Sequence, residues 1–113
     1  MEQSEGEAMT TLTRPHEDSV LEMLRADEAF ALEYLCVALE EIDQEGGEAA
    51  FLTAVRRVAE ARGGMTSLSQ ATGLARPNLY RALAADGDPR LSTILKVLQA
   101  LGVGLSKVVT HRP

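Results

Sequence analysis

The sequence has no tryptophan, only two Tyr and two Phe, and one cysteine among its 113 residues. With aromatics at 4%, any core must be aliphatic. A lone thiol excludes an internal disulfide. Cys36 sits between Leu35 and Val37, which predicts a buried structural group rather than a reactive one. Such usage suits a reducing cytoplasm. No apolar run approaches the roughly 18 residues of a membrane-spanning helix, and the acidic N-terminus does not read as a secretory signal. Both histidines, His16 and His111, lie near the termini. No Cys/His set has metal-ligand spacing, and no Gly-rich phosphate loop follows a strand. The expectation is a binding protein, not an enzyme, with no metal and no cofactor.

What is abundant is charge, unevenly placed. The net charge is −6. Residues 1–48 hold 14 Asp/Glu against 2 Arg, whereas residues 49–113 hold 3 Asp/Glu against 9 Lys/Arg. An acidic arm joined to a basic domain fits nucleic-acid work, or an acidic solubilising tail on an ordinary domain.

The most informative stretch is Met65 to Leu83, MTSLSQATGLARPNLYRAL. It reads as two short helices joined at Gly73. The first is expected over Thr66–Thr72, opened by Thr66 or Ser67, with Ser67 and Gln70 as a capping box. Gly73 suits the left-handed exit from that helix. Pro77 suits the first turn of the second helix. Leu68, Ala71, Leu74, Leu79, Ala82 and Leu83 would face inward. Arg76, Asn78 and Arg81 fall on the opposite side, the chemistry that reads a DNA major groove.

The rest of the chain predicts further helices. Residues 1–15 are polar and aperiodic and read as a disordered acidic tail; Met9 is an alternative first residue. Residues 16–46 read as N-terminal helices: one over His16–Arg25, and one capped by Asp27 with Phe30, Tyr34, Leu35, Ala38, Leu39 and Ile42 as its apolar stripe. Residues 47–110 form the DNA-binding part. They open with a helix over Glu48–Arg62 that turns Phe51, Leu52, Val55, Val58 and Ala59 inward, with Arg56, Arg57 and Arg62 outside. The last helix carries Leu91, Ile94, Leu95, Leu98 and Leu101. Val103–Thr110 is β-branched and reads as a short C-terminal strand. The fold class expected is all-α, with five to six short helices.

The ordered set of segments at 61–65 (ARGGM), 72–74 (TGL), 79–83 (LYRAL), 87–89 (GDP) and 91–102 (LSTILKVLQALG) resembles the helix-turn-helix antidote (antitoxin) proteins of bacterial addiction modules. The resemblance extends upstream to about residue 17. It implies a λ-repressor-like domain, a RelE-like toxin that the protein binds and silences, binding to its own promoter, a homodimer and a cytoplasmic location. Two positions depart from the family pattern. Ser69 stands where Ala is usual, and Ala75 stands where a capping Ser is usual.

On this reading the DNA-binding residues are Thr66, Ser67, Gln70, Arg76, Pro77, Asn78 and Arg81. Thr66 and Ser67 would hold a phosphate at a helix N-terminus, and Arg76, Asn78 and Arg81 would read base edges. Tyr80 reads as packing rather than phosphate contact, and Arg90 and Lys96 as surface charge. The acidic N-terminal half would meet a basic toxin. Two other readings stand beside this one: a stand-alone regulator of the phage-repressor type, and a protein-interaction module without DNA binding.

Overall fold

The computed structural model describes residues 19–110. The expectation of a disordered tail over 1–15 lies outside them, as does His16. Seven helices and no strand occur among the described residues: α1 (19–26), α2 (Glu28–Glu40), α3 (Gly47–Ala61), α4 (Gly64–Thr72), α5 (Arg76–Ala82), α6 (Leu91–Ala100) and α7 (Leu105–Thr110). The all-α expectation stands. The count is one or two higher than expected, because the segment read as a strand is a helix.

Helix α2 opens as its sequence requires. Asp27 is extended (φ −132°, ψ 106°), and its carboxylate accepts the Phe30 N–H at 3.2 Å. That bond satisfies one of the donors a helix start leaves unpaired. Helix α2 buries Ala31, Leu35 and Cys36. Helix α3 is the central element, packing on both α2 and α4. Its predicted stripe of Phe51, Leu52, Val55, Val58 and Ala59 is buried, and Ala54 and Ala61 widen it.

Three arginines assigned by sequence to outer surfaces or left unassigned bind the helices together. Arg62 donates to the Leu24 carbonyl at 3.1 Å, and Arg25 donates to the Ala61 carbonyl at 3.4 Å. These reciprocal bonds latch the C-terminal ends of α1 and α3. Arg57 donates to the Tyr34 hydroxyl at 3.1 Å, linking α3 to α2.

The ten largest fully buried side chains are all Leu or Val, from Leu24 to Val108. Each contributes about 1.5–3 kcal/mol by leaving water. The absence of tryptophan is thus matched by a core of small, branched groups.

Two expectations about the C-terminal third need correction. Leu91 and Leu95 do not join the core; they are 68% and 40% exposed. Of the predicted stripe, Leu98 and Leu101 are buried and Ile94 packs against the core, while Val97, outside the stripe, is fully buried in place of Leu91 and Leu95. Residues 105–110 form α7 rather than a strand. The Gly104 carbonyl accepts from Lys107 and Val108, Val108 is fully buried, and α7 packs on α2 and α6. A strand there would have no partner among the described residues, so the β-branched preference is overridden by packing.

Candidate nucleic-acid interface

Helices α4 and α5 are joined by residues 73–75. Gly73 is left-handed (φ 77°, ψ 6°), and its N–H closes on the Ser69 carbonyl at 2.9 Å. The turn is stitched further by two hydroxyls. Thr72 Oγ1 donates to the Leu68 carbonyl at 2.8 Å and accepts the Leu74 N–H at 3.2 Å. Ser69 Oγ donates to the Leu74 carbonyl. Ser69, one of the two departures from the family pattern, therefore fixes the turn instead of merely fitting it. The sequence signal was a Thr and a Ser one helical turn or less before a Gly exit, where hydroxyls compete for backbone groups.

Helix α4 opens two residues earlier than expected, and the capping box is not formed. Gly63 is the N-cap and has no side chain to offer, while Gly64 begins the helix. The positive φ angles of Gly63 and Gly64 make the corner from α3 into α4. The unpaired N–H groups of the first turn accordingly shift toward Gly64 and Met65, with Thr66 still among them. The Thr66 and Ser67 hydroxyls, relieved of capping, lie exposed on the surface.

Helix α5 is seven residues long. Ala75 is its N-cap without a side-chain bond, and Pro77 occupies the first turn. The Ala75 carbonyl still accepts the Leu79 N–H at 3.0 Å, so proline removes no backbone bond. Leu79 and Leu83 are fully buried beneath the helix. Above them, Arg76, Pro77, Asn78 and Arg81 are exposed. So are Thr66, Ser67 and Gln70 on α4.

The structure brings several of these residues together. The Arg76 guanidinium reaches back to Thr66 Oγ1 at 3.2 Å, joining the start of α5 to the start of α4. Arg81 donates to Asn78 Oδ1 at 2.9 Å. Exposed pairs of this kind contribute little net stability, so another acceptor can replace them at small cost. From residue 63 to residue 83 the chain has two arginines and no acidic residue. Tyr80, read as a packing residue, is instead 50% exposed on this helix. Ala71, expected inward, is also exposed.

Among the described residues, no group of three or more His, Cys, Asp or Glu side chains has a metal-binding arrangement, and no helix is long and apolar enough to cross a membrane. The chain thus presents a small all-helical unit with a positively charged, hydrogen-bonding face over two short helices.

Comparison with known proteins supplies the family. The model of a family described as "Probable addiction module antidote protein" matches residues 16–109. The chain belongs to this family of addiction-module antidotes. A relative from Haemophilus influenzae, named only as an uncharacterized protein, is 37% identical over 65 residues. That match covers 58% of this chain and 66% of the relative's length. No solved structure matches the chain.

Proposed function

We propose that this protein is the antitoxin of a type II toxin–antitoxin module, and that it binds double-stranded operator DNA at its own promoter. It represses that promoter as a homodimer in the cytoplasm, with α4–turn–α5 as a helix-turn-helix of the phage-repressor type. It neutralises a basic, RelE-like toxin by direct binding, without catalysis. The observation that carries the DNA half is the face of α5. Arg76, Asn78 and Arg81 are exposed over a helix anchored by Leu79, and the Arg76–Thr66 bond joins that face to the start of α4. Arginine matches guanine O6/N7 and asparagine matches adenine N6/N7, while an open helix start suits a phosphate.

The test is promoter affinity of Arg76→Ala and Arg81→Ala across a salt series, against a scrambled duplex. Loss of a base-reading arginine weakens the promoter complex by about 1–3 kcal/mol and relaxes preference at one base position. Loss of a phosphate contact weakens both duplexes alike and lowers the salt slope by about one unit. Parent-like binding by both variants would remove α5 as the reading helix and leave a protein-interaction module. A neighbouring reading frame for a small basic protein separates the antitoxin from a stand-alone regulator.

A further inference from the structure

A groove of about 430 Å³ runs between α2 and α3 on a part of the molecule that the DNA-facing residues do not use. On α2 it is lined by Phe30, Tyr34, Val37 and Ala38, with Glu33 and Glu41 beside them. These positions follow helical spacing, so they form one continuous stripe. The α3 wall is built from Ala50, Thr53 and Ala54, small side chains that leave the groove open, with Arg57 at one end. Arg57 donates to the Tyr34 hydroxyl, and the Phe30 and Tyr34 rings pack at 6.1 Å between centroids. Two of the chain's four aromatic residues are therefore held in fixed positions on this surface, and Val37 is 48% exposed between them and Glu41.

Charge identifies the occupant. From residue 26 to residue 55 there are eight Asp/Glu and no Lys, Arg or His, and the one cation lining the groove among the described residues, Arg57, is engaged with the Tyr34 hydroxyl. Glu33, Glu40, Glu41, Asp43, Glu45 and Glu48 are all exposed. A second copy seated on the same face would bring like charges together, which costs several kcal/mol at an interface. Nucleic acid and anionic lipid are repelled for the same reason. With no strand among the described residues, there is no sheet edge for an extended peptide to join. An apolar channel parallel to two helices takes an amphipathic helix, anchored at intervals of three and four residues.

We propose that the α2–α3 groove receives a basic amphipathic helix of the toxin. Apolar side chains of that helix enter between Tyr34, Val37 and Ala54, and its Lys/Arg flanks meet Glu33 and Glu41. This inference rests on the antitoxin reading above and adds the contact surface to it.

The experiment titrates the full chain with the purified product of the adjoining reading frame by calorimetry. Parent, Val37→Glu and the double variant Glu33→Lys/Glu41→Lys are compared, with circular dichroism and melting as folding controls. All three substituted positions are exposed, so the helical content is retained. Val37→Glu is expected to weaken association on the order of tenfold or more. The double variant is expected to weaken it and to flatten its salt dependence. Parent-like binding by both variants overturns the groove assignment and leaves the antitoxin reading intact. If the parent itself fails to bind the neighbouring product, the antitoxin reading falls and the groove proposal with it. A shift from dimer to monomer in Val37→Glu alone, with toxin binding unchanged, overturns the proposal in favour of a second copy.

Discussion

Replacing Gly73 tests the turn between α4 and α5 with few confounding terms. Its φ of 77° lies where side chains other than glycine are strained, yet a Cβ built there meets nothing within 4 Å. The cost is therefore conformational and not steric. An L-residue in the left-handed region loses about 1–2 kcal/mol, and alanine recovers roughly 0.4–1 kcal/mol by restricting the unfolded chain. Gly73→Ala should then destabilise by about 1 kcal/mol. Gly73→Asn should cost less, because a short polar side chain tolerates this conformation. Gly73→Val should cost more, up to about 3 kcal/mol. Gly47 provides the contrast. A Cβ there would collide with the Glu41 carbonyl oxygen and lie 2.5 Å from that of Ile42, both backbone atoms. Gly47→Ala must displace the 41–46 loop and strain the bond from its N–H to Gln44, now 2.9 Å. Its cost should exceed that of Gly73→Ala. Urea unfolding monitored by circular dichroism measures all four variants; 1 kcal/mol moves the midpoint by roughly 0.3–1 M at the usual slopes. An unchanged midpoint for Gly73→Ala, or asparagine ranking below alanine, would refute the left-handed turn. Gly73→Ala costing more than Gly47→Ala would refute the distinction between open space and backbone collision.

Two further sites probe side-chain hydrogen bonds. Asp27→Ala removes the acceptor for the Phe30 N–H and should lower stability by about 1 kcal/mol, whereas Asp27→Ser should retain most of it; thermal melts distinguish them. Thr72→Val keeps the shape but removes both bonds of the hydroxyl, and should cost about 1–2 kcal/mol with a larger loss of promoter affinity than Thr72→Ser. Equal melting temperatures for the valine and serine variants would mean the hydroxyl does not hold the turn.

The elements most legible in the sequence were those whose signals are local. Asp27 is a cap because its carboxylate reaches three residues along its own chain. Gly73 ends α4 because the conformation is a property of one residue. The α3 stripe was legible because nearly every apolar position on that helix is used. What escaped depended on partners distant in sequence. The β-branched run at 105–110 became helical because α2 and α6 receive Val108. Leu91 and Leu95 satisfy the helical pattern, but burial on α6 is set by which neighbours approach, and it takes in Val97 beside the expected Leu98. Of the candidate site, all seven residues proved to be exposed, since an apolar pattern also indicates its complement. The capping role of Ser67 did not survive, because glycine can open a helix without any side-chain signature. The roles of Thr72 and Ser69 were signalled only by their place ahead of a glycine exit, because a hydroxyl's choice of backbone partner depends on the turn it closes.

The anchoring of α5 carries a consequence for how such proteins diverge. The helix is held from below by Leu79 and Leu83, while the side chains that would meet an operator stand above, exposed. Exchange of Arg76, Asn78 or Arg81 therefore changes chemical preference at almost no expense in folding. If α5 reads the promoter as proposed above, duplicated copies within one genome would drift apart in the promoters they recognise while retaining an unchanged interior. Insulation between sibling modules is then accessible in one or two mutational steps, without passing through unfolded intermediates.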